Sequence, residues 1–321
     1  MTSDTSATVH QNQATTTILA ANTWRERESR HQDRVDALVS EHLHRRRRGE
    51  RHPVQDFLFT YYSHRPAQLR RWHPGVGTLL AHPTDGEPPH RGWRYYTDHL
   101  DQLADHAPPV GLDVATFTAE RGATVRFVAA LLEATEARSA NLGCFGLHEW
   151  AMVYRTSPGN VRHQGVPLRL GSAGTDAVVE SHRIRCSHYD AYRFFTDDAV
   201  PRNQLRPTRT GQISQEQPGC LHATMDCYKW AYKLTPAVPS ELVLECFELA
   251  RDVRELDMRA SPYDLSAWGY TPVRIETAEG KAQYVAAQRE FAERGRVVRN
   301  RLLAVCRQLL GHPDAVGTEA G

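Results

Sequence analysis

Apolar positions recur at intervals of three and four over most of the chain, and at intervals of two only briefly. The first spacing puts side chains on one face of an α-helix, the second on one face of a strand. Over 24–48 Trp24, Val35, Leu38 and Val39 form a thin stripe among charged residues, which predicts a helix closed by the arginine run 45–48. A basic run suits the negative end of the helix dipole. Pro53 opens a second helix reaching Tyr62, and a short third covers 67–72. Further helices are predicted over 98–106, 113–140, 147–154, 188–196 with Ser187 as N-cap, 222–234, 240–259 and 281–310.

Strand patterns are few. Residues 78–81 and 93–96 flank a Pro-rich polar loop, and 166–170 and 177–180 flank a Gly-rich one, so each pair predicts a small hairpin. Ser157-Pro158-Gly159-Asn160 reads as a turn, and 200–219, with three prolines, as a long loop. Residues 1–22, rich in Thr, Ser, Ala and Gln, read as a disordered tail, and 311–321 as a loose C-terminal tail. The expectation is a mainly α fold: a single helical catalytic domain over 23–310 with one or two small β-hairpins.

Composition narrows the function classes. A chain of 321 residues can bury a sizeable core. Its net charge of +1 is unlike that of a dedicated electrostatic nucleic-acid binder, although local basic runs can still meet phosphate. No apolar run approaches the ~20 residues of a membrane span, and the start lacks the pattern of a secretory signal. The six cysteines include no CxxC pair, which argues against a structural zinc knuckle. They read as reduced, buried thiols of a cytoplasmic protein. Gly171-Ser172-Ala173-Gly174 lacks the ending of a P-loop, and no Gly-x-Ser-x-Gly elbow occurs.

Chemistry concentrates in three segments. Cys186-Ser187-His188-Tyr189-Asp190 and Cys220-Leu221-His222-Ala223-Thr224-Met225-Asp226 each place a histidine and an aspartate within one helical turn, and Gly146-Leu147-His148-Glu149-Trp150 adds a third pair. His222 and Asp226, four apart, share a helix face. If the helices meet, the catalytic candidates are Asp226, Asp190, Glu149, His222 and His188, a set able to activate water as general base. The same residues with His148 form a pool of ligands for a divalent metal. A buried structural hydrogen-bond network would use identical residue types. Aromatic residues in these segments, Tyr62, Trp150 and Tyr189 among them, suit either a planar heterocycle or plain core packing.

Several stretches resemble a family of actinobacterial proteins that bears the name 3-methyladenine DNA glycosylase. The resemblance runs through His52-Pro53-Val54-Gln55-Asp56-Phe57-Leu58, Arg70-Arg71-Trp72-His73-Pro74-Gly75, Phe145-Gly146-Leu147-His148-Glu149-Trp150, Arg185-Cys186-Ser187-His188-Tyr189-Asp190, Gln217-Pro218-Gly219-Cys220-Leu221-His222 and Leu256-Asp257-Met258-Arg259-Ala260-Ser261-Pro262-Tyr263. It implies hydrolysis of the N-glycosidic bond of alkylated purines in DNA, without a cofactor. One carboxylate would stabilise the sugar cation, Tyr62, Trp150 and Tyr189 would hold the extruded base, and Arg70 and Arg71 would contact phosphate. Pro74-Gly75-Val76-Gly77 resembles the turn of helix–hairpin–helix DNA-binding proteins, but Pro83 cuts short the helix that should follow. Two alternatives stand beside this expectation. One is a metal-dependent oxygenase or hydrolase using His148, Glu149, His188, Asp190, His222 and Asp226, although no Glu-x-x-His di-iron motif is present. The other is a non-catalytic binding protein.

Overall fold

The computed structural model describes residues 16–100, 107–156 and 165–311. The fold is mainly helical, with one small mixed sheet. Strands β1 (Thr17–Leu19), β2 (Thr78–Leu80), β3 (Tyr96–Asp98) and β4 (Val110–Leu112) lie in the order β1-β2-β4-β3. β1 runs parallel to β2 with Thr17 opposite Thr78, and β4 is antiparallel to both β2 and β3.

The helices are α1 (Ala21–Arg47), α2 (Phe57–Tyr61), α3 (Pro66–Arg70), α4 (Val114–Glu136), α5 (Leu147–Ala151), α6 (Gly171–Ser181), α7 (Tyr189–Tyr192), α8 (Gln212–Gln215), α9 (Leu221–Lys233), α10 (Ser240–Arg259) and α11 (Ala278–Leu309). Two of the long ones start on side-chain caps. Asp113 accepts from the Thr116 amide at the head of α4, and Thr277 from the Gly280 amide at the head of α11. α9 packs on α10 and α11, and α11 on α4. One large apolar cluster runs through all four. Each fully buried Leu or Val in it, such as Val125, Leu131 or Leu302, contributes about 1.5–3 kcal/mol.

α9 is buried on nearly every face, including His222, Thr224 and Asp226. A helix surrounded in this way must satisfy its polar side chains internally. α11 approaches it closely at Gly295, where a Cβ would stand 2.9 Å from Thr224 Oγ1.

Four expectations are corrected. Residues 17–19 join the sheet and α1 begins at Ala21, so the tail does not extend to residue 22; residues 1–15 lie outside the described part. The strands near 78 and 96 are not hairpin partners, because β4 sits between them. The hairpin over 166–180 is instead helix α6, whose buried Thr175, Val178 and Val179 follow a helical interval that the β-branched run obscured. Residue 98 belongs to β3, while 101–106, the turn at 157–160 and the tail from 312 lie outside the described residues.

Candidate metal centre

α5 begins at Gly146, whose φ of 70° lies in the left-handed region that glycine adopts at least cost. The turn sends the whole five-residue helix inward, with His148 and Glu149 as buried as Leu147 and Trp150. Their partners come from the last two turns of α10. Arg254 Nη1 donates to Glu149 Oε1 at 2.8 Å and to Asp257 Oδ2 at 3.0 Å, and its guanidinium lies 3.8 Å from the centre of the Phe57 ring. Asp257 Oδ1 faces His148 Nε2 at 2.9 Å. This pair is close but not aligned as a hydrogen bond, and neither atom has another hydrogen-bond partner. The His222 ring, from α9, meets His148 edge to face with centroids 4.4 Å apart. One ligand atom each from His148, His222 and Asp257 lies within 4.8 Å of the others.

The second cluster adjoins the first through His222, whose ring stacks on His188 at 5.2 Å. His188 Nδ1 stands 3.1 Å from Glu216 Oε1 and Nε2 3.5 Å from Asp226 Oδ2, again without hydrogen-bond alignment. Asp226 accepts from the Tyr62 hydroxyl at 2.8 Å and is in direct contact with Lys229 Nζ. Lys229 also reaches Asp190 at 3.2 Å, and Arg193 Nε meets the other Asp190 oxygen at 3.2 Å. His188, Asp190 and Asp226 offer ligand atoms within 4.8 Å of one another as well.

The charges differ between the clusters. Burial disfavours ionised Asp257, but His148, His222 and Arg254 hold its carboxyl well below the usual range. Burial likewise opposes a charge on His148, yet Asp257 and Cys144 together raise its pKa well above normal. Burial and then the His148 charge push His222 well down, so it keeps a free lone pair. In the second cluster burial opposes charge on His188 and Lys229, but Glu216 and Asp226 outweigh it for the first, and Asp226 and Asp190 for the second. Both are raised.

The geometry of both clusters is compatible with metal coordination. Ligand atoms that share an ion at 2.0–2.2 Å stand about 3 Å apart and point at the ion rather than at one another. Buried nitrogens and oxygens at such separations are costly unless a proton or a metal cation joins them.

The structure brings together His148, Glu149, His188, Asp190, His222 and Asp226, all singled out in the sequence. It adds Asp257, Arg254, Lys229 and Glu216, which were not. Asp257 and Arg254, three apart near a helix end, look in sequence like a surface ion pair; in the fold Phe57, α5 and His222 of α9 close over them.

The other candidates sit differently. Trp150 is fully buried and donates its indole N–H to Ala260 O at 2.9 Å. Tyr62 is 4% exposed and committed to Asp226. Tyr189 lies under the Arg209 guanidinium, 5.5 Å from its ring centre. Arg70 pairs with Asp36 of α1 at 2.8 Å, and Arg71 lies over Trp93. The Val76 amide of the supposed phosphate-binding turn donates to Ala237 O at 2.8 Å.

No family model, curated protein or solved structure matches the chain. The glycosylase expectation and its absence of a cofactor are therefore corrected on the site itself. Tyr62 and Trp150 turn no ring face outward to an extruded base, and the carboxylates converge with imidazoles into two groups compatible with metal coordination. Among the described residues no helix is long and apolar enough to cross a membrane.

Proposed function

We propose that the chain is a metal-dependent hydrolase whose ion is held by His148, His222 and Asp257. The observation that carries this reading is the meeting of two imidazoles and a carboxylate in one buried place, with His148 Nε2 and Asp257 Oδ1 lacking hydrogen-bond partners. Two histidines and a carboxylate serve both zinc hydrolases and iron(II) oxygenases. We favour hydrolysis, which asks of the chain only a held ion and a proton donor beside it.

A bound divalent ion supplies Lewis acidity and lowers the pKa of water. The chain's own residues do the rest. Arg254 fixes the orientation of Asp257 through Oδ2 and leaves Oδ1 for the ion. His188, whose pKa Glu216 and Asp226 raise against its burial, stacks on His222 and serves as proton donor or store beside the centre. Lys229 already neutralises Asp190 and Asp226, so the second cluster handles protons rather than a second ion. Phe57, which carries Arg254, also lines a cleft of about 1160 Å³ whose wall includes Arg46, Arg51 and Arg65. An anionic substrate entering there would approach the centre from the Arg254 side.

The test is chelation followed by titration. Protein stripped of metal and reloaded with zinc should regain hydrolysis on a panel of phosphoesters, esters and amides. Asp257→Asn should neither bind the ion tightly nor recover activity. Hydrolysis indifferent to chelation, or Asp257→Asn with native metal affinity and activity, would refute the reading.

A further inference from the structure

The arginine run that closes α1 does more than suit the helix dipole. Two of its members meet carboxylates: Arg45 Nη2 donates to Asp56 Oδ1 at 2.6 Å, and Arg48 Nη2 to Glu50 Oε2 at 2.6 Å. Arg46 instead lines the cleft of about 1160 Å³, together with Arg51 and with Arg65, the residue before α3. Among the described residues none of these three guanidiniums has a carboxylate or carbonyl partner. Glu50 and Asp56 are the acids of the same wall, and both are already matched. The cleft therefore keeps a surplus of positive charge.

His42, one turn before Arg46 on α1, is held in that wall from two sides. Asp56 Oδ1 accepts from its Nδ1 at 2.9 Å, and its ring stacks on Phe59 with centroids 4.2 Å apart. An ionised carboxylate only accepts, so the proton sits on Nδ1 and leaves Nε2 for another group. Nε2 has no hydrogen-bond partner among the described residues, and the ring lines the cleft. Trp268, half-buried on the turn Ser266–Trp268, lines it too. His52 meets the indole edge to face at 6.5 Å, and among the described residues no ring stacks on it.

We propose that this cleft binds a phosphate ester carried on a planar ring. Arg46, Arg51 and Arg65 hold the phosphate, for which the guanidinium fork is well shaped. His42 Nε2 shares a proton with a phosphate oxygen, and Trp268 supplies a flat face for the ring. The volume suits a nucleotide-sized molecule and is far larger than a lone anion needs. Phe57 joins the cleft to Arg254. Calling this ligand the substrate rests on the hydrolase reading; its binding does not.

The full chain should be titrated by calorimetry with AMP, adenosine and inorganic phosphate, with Asp257→Asn alongside as a background that does not consume AMP. AMP should bind at least about tenfold more tightly than either fragment, since both the ring and the charged group contribute. Arg46→Gln combined with Arg51→Gln should weaken AMP on the order of tenfold and flatten its loss of affinity with salt. Trp268→Leu should weaken AMP and leave inorganic phosphate unchanged, whereas His42→Gln should weaken both. Arg46 and Arg51 are exposed and unpaired, so their variant tests the idea even if His42→Gln, which also loosens Asp56, fails to fold. AMP bound no more tightly than adenosine, or with native affinity in the double arginine variant, overturns the proposal. So does AMP binding that disappears in Asp257→Asn and persists in the arginine variant, because the phosphate would then sit on the ion. AMP held in the cleft but never hydrolysed by zinc-loaded native chain would keep this site and cut its link to the hydrolase reading. Zinc-dependent hydrolysis of other esters without AMP binding would do the reverse.

Discussion

The two polar clusters share a wall and contain the same residue types, yet they are balanced in different ways. Around Asp190, Asp226 and Glu216 stand two permanent cations, Lys229 and Arg193, with Lys229 bridging two of the carboxylates and His188 beside the third. Around Glu149 and Asp257 stands one permanent cation, Arg254. The remaining charge must come from a proton on His148 or from a bound ion. Ligand spacing alone therefore does not distinguish a metal site from a salt-bridge network. What distinguishes them is whether the chain already supplies the cation.

The largest effects should come from deleting the fixed cations. Arg254→Met leaves Glu149 and Asp257 buried without their guanidinium and should lower unfolding stability by about 3–5 kcal/mol. Lys229→Met should also destabilise, but it opens the second cluster, so added zinc or manganese should raise its melting temperature more than that of the native chain. Chemical denaturation and thermal melts with and without metal measure both. An equal response of the native chain and Lys229→Met to metal would erase the difference drawn above.

Next comes the ligand itself. Asp257→Asn preserves volume and one oxygen but loses the charge. Replacing a group that merely supports a ligand costs 10–100-fold in metal affinity, so loss of this ligand should exceed about 100-fold by calorimetric titration. Asp226→Asn, in the cluster served by Lys229, should change metal affinity far less. Tyr62→Phe removes the hydroxyl that donates to Asp226 and should cost about 1–3 kcal/mol of stability with no change in metal affinity.

The effect smallest at neutral pH is the titration of three histidines that belong to neither ligand set. Burial lowers the pKa of His64 to about 4, His73 to about 3 and His90 to about 4, from an ordinary 6.5. These histidines are neutral in the folded chain and charge more readily once unfolded. Their contribution is complete above pH 6.5 and is lost as pH falls from there through about 4. Each adds a slope of up to about 1.4 kcal/mol per pH unit. Urea midpoints across that interval should fall in metal-free protein, and His64→Gln should flatten the fall. A flat profile would mean these rings are charged or solvated in the folded state.

Much of this was legible in the sequence. α10 lies where its apolar spacing placed it, and the His222–Asp226 interval announced a shared helix face. His188 and Asp226 meet as the pairing of their segments suggested. Asp257 escaped notice because an i, i+3 partner of opposite sign is the ordinary signature of an exposed helix face. α6 was misread because Val178 and Val179 adjoin each other and are β-branched, which hides the interval from Thr175.

The placement of His222 and Asp226 on one helix has a consequence for how the molecule can change. Their ring and carboxylate stand in separate clusters, but one turn of α9 fixes the step between them. Inserting or deleting a single residue between positions 222 and 226 would swing one past the other by about 100° and shift it by about 1.5 Å along the axis. No adjustment of α5, α7 or α10 could then satisfy both clusters at once. α9 is thus a gauge block: substitutions can retune either cluster separately, whereas a change of length within this turn must dismantle both together.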